Sequence, residues 1–201
     1  MSGCTESSPP AGDRGHPKVT PYTADMEDDQ ASTVTEDIAA LSADQLWVDA
    51  YQGEVLGEAL FGALCERQAD PVRRHQLEVL TLLERSTKEL AEPVLEGRAV
   101  ARGDSAASAA TGRELAEGVA GLPWEEFLGA FAPVTAQFLA KYRRLVDLAT
   151  DDNERQVAET YVAHELALMA FVTRSLADEP GDPLQPILAL PHVALAQATS
   201  T

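Results

Sequence analysis

Apolar and small residues recur at three- and four-residue intervals along most of the chain between 42 and 176, and the alternating pattern of strands is nearly absent. The spacing predicts four long helices. The first opens at Ser42, where Ser42-Ala43-Asp44-Gln45 reads as a capping box, and runs to about Gln68. Its inward stripe is Leu46, Ala50, Gly53, Gly57, Leu60 and Leu64, with Trp47, Tyr51, Phe61 and Cys65 alongside. Glycine weakens a helix, so a close approach by a neighbouring backbone is expected at Gly53 and Gly57.

Asp70-Pro71 closes the first helix and opens the second. Asp serves as the cap, and Pro takes the first position, where its missing N–H is not needed. That helix should reach about Leu95 with Leu77, Leu80, Leu83, Thr87, Leu90 and Val94 inward. Residues 97–122 carry Gly97, Gly103, Gly112, Gly118 and Gly121 and an Ala/Ser run, which predicts a long crossover with a short helix at about 111–119. Pro123 opens the third helix, to about Ala149, with Trp124, Phe127, Phe131, Phe138, Tyr142 and Leu145 on one face and a kink expected at Pro133. Asp151-Asp152-Asn153 caps the fourth, from Glu154 to about Leu176, whose face is Val157, Tyr161, Leu168, Phe171 and Val172. Pro180, Gly181 and Pro183 stop it. A short helix or turn over 184–190 should cover one end, and the last ten residues should fray. Residues 1–39 hold four prolines and the acidic run 25–29, with too little apolar area to order them. The organisation expected is a disordered acidic arm (1–39), an all-α helical body (40–178, crossover 97–122) and a C-terminal cap and tail (179–201).

Composition narrows the function classes. A net charge of −18 on 201 residues leaves nothing to displace counterions from phosphates, which excludes nucleic acid as a partner, and it opposes an anionic membrane surface. It fits a soluble, self-repelling cytoplasmic protein. Two cysteines, Cys4 and Cys65, make no disulfide framework and point to a reducing compartment. No apolar run is long enough to span a bilayer, and the first residues lack the basic flank and apolar core of a signal peptide.

Ionisable residues on or beside the apolar stripes are the candidates for chemistry. Glu54 and Glu58 lie along the first helix, Glu84 beside Leu80 and Thr87 on the second, and His164 and Glu165 in the middle of the fourth. An unpaired buried carboxylate costs several kcal/mol, so a partner or a metal is expected wherever one is inside. Each has a plainer reading. Glu54 and Glu58 could flank the stripe and reach water. Glu84 precedes Lys88 by four residues and could form a surface ion pair. His164 could be a satisfied core histidine, and Tyr51, Tyr142 and Tyr161 core aromatics with wet tips.

Two short joints around one long crossover make the second and third helices parallel and set two helical hairpins face to face. With the string Tyr51-x-x-Glu54-x-x-x-Glu58-x-x-Phe61, Glu84 and the pair His164-Glu165, this ordering resembles the ferritin-like superfamily, as in rubrerythrins and related di-iron carboxylate proteins. The resemblance covers roughly residues 43–178. It implies an up-down four-helix bundle with a mid-bundle metal site, where Glu54, Glu58, Glu84 and Glu165 are oxygen ligands and His164 the nitrogen ligand. It further implies one or two iron ions and non-haem iron oxidoreductase or iron-handling activity. The chain departs from the family's ligand pattern at Thr87, where a His is expected, at Tyr161, where a Glu is expected, and on the third helix, where Gln137 is the nearest substitute for an acid. The rival expectation is a bundle without cofactor that acts as a binding or structural protein, a homodimer through an outer helix face. The sequence names no small-molecule substrate.

Overall fold

The computed structural model describes residues 38–177 and 180–199, and among these there is no strand. The acidic arm, with Cys4 and His16, lies outside the described residues. The long helices are α1 (Ala43–Arg67), α2 (Pro71–Gly97), α4 (Trp124–Leu148) and α5 (Asp152–Leu176). Between and after them come α3 (Ser105–Val119), α6 (Gln185–Leu188) and α7 (Pro191–Thr199). No described helix is long and apolar enough to cross a membrane.

Local chemistry sets the helix starts. The capping box at α1 is complete: the Ser42 N–H donates to Gln45 Oε1 at 2.9 Å, and the Gln45 N–H donates to Ser42 Oγ at 3.3 Å. Asp70 accepts from the N–H groups of Val72 and Arg73, and Asp151 from that of Glu154. The crossover helix begins earlier than its glycine content suggests, because Asp104 caps it through the Ala107 N–H. Most of the expected C-terminal tail is instead ordered among the described residues. Pro191–Thr199 is helical and packs on α2, with Val193 fully buried. A single apolar anchor among small residues gives a pattern too short to read as amphipathic.

Paired residues fix the directions. Arg98, at the end of α2, clasps Glu154 at the start of α5 through two hydrogen bonds of 2.7 and 2.8 Å and reaches Asp44 at the start of α1 at 2.6 Å. The Arg98 guanidinium overcomes the effect of burial and, with two hydrogen bonds from Thr150, draws Glu154 down to a pKa of about 2. Thus α1 and α5 begin at the same end and α2 finishes there. Along α1, contacts from Gln52 to Arg102, from Leu56 to Gly112 and from Arg67 to Glu117 show that the crossover runs parallel to it. A Cβ on Gly112 would fall 2.3 Å from the Leu56 carbonyl oxygen, so this glycine lets the two helices close up. Helix α4 runs back along α1, Phe131 packing on Phe61 and Lys141 pairing with Asp49.

Two apolar clusters fill the interior. One gathers Leu60, Leu80, Leu83, Phe127, Leu168 and Phe171, and the other Trp47, Ala50, Leu95, Tyr142, Leu145 and Tyr161. The side chains at the level between them are polar.

Candidate metal centre

Three helices bring one ionisable turn each to that level. Helix α1 supplies Glu54 between Tyr51 and Leu60, α2 supplies Glu84 after Leu83, and α5 supplies His164 and Glu165 between Tyr161 and Leu168. All four are buried, with no more than 5% of any residue exposed, which removes the solvated reading for Glu54 and the surface-pair reading for Glu84. One ligand atom from each of Glu54, Glu84 and His164 lies within 4.8 Å of the other two. His164 Nδ1 stands 3.5 Å from Glu54 Oε2, and His164 Nε2 stands 3.6 Å from Glu84 Oε1.

Glu58 lies apart. It faces the α1/α2 surface, where it accepts from Arg85 at 2.7 Å and from Lys88. Burial raises its pKa, but those two cations outweigh burial and leave it below the ordinary range. A one-turn step along α1 therefore separates a solvated ion pair from the interior acid. Lys88 pairs with Glu58 and not with Glu84.

Glycine shapes the place Glu84 occupies. A Cβ on Gly57 would lie 2.3 Å from Glu84 Oε2 and 2.5 Å from its Cδ. The neighbour that needs this glycine is a carboxylate and not a backbone; at Gly53 it is the Phe138 ring, at 3.3 Å. Gly57→Ala is expected to destabilise the protein by about 1–3 kcal/mol through overpacking, although the same change in an open helix gains up to about 1 kcal/mol. Gly62, whose Cβ would meet nothing closer than 3.9 Å, gives the control: Gly62→Ala should stabilise. Urea unfolding of the two variants checks the opposite signs.

Thr87, standing where a second His was expected, orients the first. Its hydroxyl donates to the Leu83 carbonyl at 2.9 Å, and Oγ1 lies 2.9 Å from His164 Nδ1 and 3.0 Å from His192 Nε2. These contacts fix the plane of the His164 ring, with Nδ1 on Thr87 and Nε2 facing Glu84. His192 was missed in the sequence because its segment carries no periodic signal. Burial and the neighbouring His164 draw it down to about 4, so it is neutral.

The electrostatics are those of three buried acids sharing one imidazole. Burial, then repulsion from Glu84 and Glu165, holds Glu54 well above the usual carboxylate range, and a hydrogen bond from Tyr142 offsets only part of this. Burial pushes Glu165 up to about 8, against the pull of His164. Burial lowers His164, but Glu84 and Glu165 more than reverse it, and its pKa ends above the ordinary value. Tyr142 and Tyr161 are dry at both ends and strongly raised by burial, then by Glu54. Glu54 Oε2, Glu165 Oε2 and the Tyr161 hydroxyl have no hydrogen-bond partner.

No protein-family model, curated protein or solved structure matches the chain. The donor set itself decides what the site can take. Hard carboxylate oxygens with one oriented imidazole suit a divalent ion of the iron or manganese kind. Gly57 leaves the space for Glu84, and two carboxylate oxygens stand free to bind. One ion is the fit. For a second, α2 offers Thr87, α5 offers Tyr161 with no acid in its place, and Gln137 on α4 is exposed.

Proposed function

We propose that the protein is a divergent ferritin-like four-helix bundle that binds one divalent metal ion, iron foremost, at Glu54, Glu84 and His164. The observation that carries this is the convergence of those three buried side chains, from three separate helices, to mutual ligand distances within 4.8 Å. Glu165, buried beside them with one unpartnered oxygen, is the reserve ligand and proton holder. An iron ion there would supply redox chemistry with oxygen or peroxide, as a non-haem iron oxidoreductase or an iron-handling protein uses it. The chain's own residues do the rest. Thr87 holds the His164 ring in place, Tyr142 hydrogen-bonds Glu54, and the two apolar clusters keep water from the carboxylates. Metal and protons compete for the same oxygens, so affinity should rise with pH.

One observation favours the second reading, a metal-free helical protein with a binding or structural role. Glu165, at about 8, keeps its proton near neutral pH, and burial and its neighbours push Glu54 the same way, so protons quench part of the repulsion without an ion. Metal analysis separates the two. Protein purified without chelator, or reconstituted with Fe2+ or Mn2+ without oxygen, should carry about one ion per chain. Absence of metal after reconstitution would sink the first reading and leave the second.

A further inference from the structure

We infer that the cavity between α1, α3 and α4 is a binding site for a neutral apolar molecule of about ten to twelve non-hydrogen atoms, seated with one end against the carboxylate face. What that end faces rests on the metal reading above; the binding itself does not require the ion.

The cavity measures about 250 Å³. Native interiors hold few voids larger than a water molecule, and an empty one forfeits contacts on every wall. A cavity of roughly 150 Å³ lined by Leu, Ile and Phe stays dry and accepts one benzene ring. The larger volume here suits two fused rings or a short hydrocarbon chain. Small residues help make the room. Gly53 and Gly57 add no side chain of their own to the α1 wall, letting Phe138 and the Glu84 carboxylate lie close against it, and Ala130 leaves α4 shallow. The walls around that space are Leu60, Phe127, Phe131, Phe138 and Leu168, carbon surfaces that offer no hydrogen bond.

Polarity selects the ligand class. Glu54, Glu84 and Glu165 line the cavity's inner part, so an anionic head would meet three acids in a site shielded from water. A neutral apolar molecule avoids that penalty and matches the carbon walls that make up most of the lining. An entrance is present: Leu115 and Val134 line the cavity and are 46% and 42% exposed, an apolar rim on the outer surface.

The test uses the whole chain, with naphthalene as the probe and 2-naphthoate as its charged counterpart. Ligand-detected NMR and calorimetry should give naphthalene a Kd of about 10–100 µM. The naphthoate should bind at least about tenfold more weakly. Ala130→Trp places a large ring at an exposed position of the wall, which spares the core, and should abolish naphthalene binding while the circular dichroism is unchanged. No naphthalene binding to the wild type, equal binding of the naphthoate, or full binding by Ala130→Trp would each overturn the inference. Mn2+ is titrated into the same samples. Metal uptake without naphthalene binding removes the ligand site alone, and naphthalene binding without metal uptake removes the metal reading alone.

Discussion

Glu54→Gln is expected to weaken divalent-metal affinity by about 100-fold or more while making the metal-free protein more stable at pH 8. The two effects have one origin. Glu54 is 1% exposed, and its Oε2 has no hydrogen-bond partner, so its negative charge is favourable only beside a cation. Glutamine keeps the shape and removes the charge. A ligand carboxylate lost from a small donor set costs at least what outer-shell partners cost, about 10–100-fold. Without metal, the same change removes an acid that burial and two neighbouring carboxylates already destabilise when ionised. A gain of about 1–2 kcal/mol is the expected size for relieving a buried uncompensated charge. Mn2+ calorimetry and urea unfolding at pH 8 read both arms. Equal Mn2+ affinity in Glu54→Gln and wild type would remove Glu54 from the ligand set. Glu58→Gln is the matched control, one turn away on the same helix. Its carboxylate is bound to Arg85 and Lys88, so metal affinity should not change, and stability should fall by no more than about 1 kcal/mol.

The metal-free protein should lose stability as the pH rises from about 6.5 to about 8, the reverse of most acidic proteins. Glu165 has a folded pKa of about 8 against an ordinary value of 4.5. Between those values the folded state keeps a proton that the unfolded chain has released. Raising the pH therefore favours unfolding, by up to about 1.4 kcal/mol per pH unit. From about pH 6.5 to 8 the loss is on the order of 1–2 kcal/mol. His164, also raised, acts in the same direction as the pH passes its folded pKa. His192 and Glu154 have the opposite sign. His192, at about 4 in the fold, disfavours folding more as the pH falls below its ordinary value of 6.5, and this nearly offsets Glu165 between about pH 5 and 6.5. The pKa of Glu154 is about 2, so its stabilisation is complete above the ordinary value and is lost as the pH falls toward 2. Stability should therefore be broadly level from about pH 5 to 6.5 and fall above that. Saturating Mn2+ should flatten the upper limb, because the ion displaces the protons and adds binding free energy to the folded state. Urea midpoints at pH 5, 6, 7 and 8, with and without Mn2+, measure this; a metal-free profile that stays flat or rises between pH 7 and 8 would contradict it.

How much of the site was legible depended on the element. The mid-stripe placement of His164 and Glu165 followed from Tyr161 and Leu168, core residues spaced by helical turns, whereas Glu84, beside Leu80 and Leu83, read equally as a surface partner of Lys88 and only the packing put it inside. Glu54 and Glu58 could not be told apart, because both lie at the margin of a broad stripe, and a rotation of a few tens of degrees decides which one faces inward. The deciding contacts, Arg85 and Lys88 on α2, depend on how two helices meet. Thr87 read as a missing ligand and is instead a hydroxyl that contacts and orients the His164 ring, a role visible only once α2 and α5 are side by side. His192 sits in a C-terminal helix anchored by Val193, where one buried residue gives no period to detect.

The sequence by itself determined the four long helices and their ends, since capping side chains and prolines act on backbone groups within a few residues. It also determined an all-helical chain, because a period near 3.6 is a property of neighbours along the chain. Only the tertiary structure decided which acid of α1 enters the interior, what Gly57 accommodates and that a cavity opens beside the carboxylates. Each of these depends on the relative rotation and separation of helices. Those are fixed by the sum of many weak contacts between residues distant in the chain, and no local pattern records that sum.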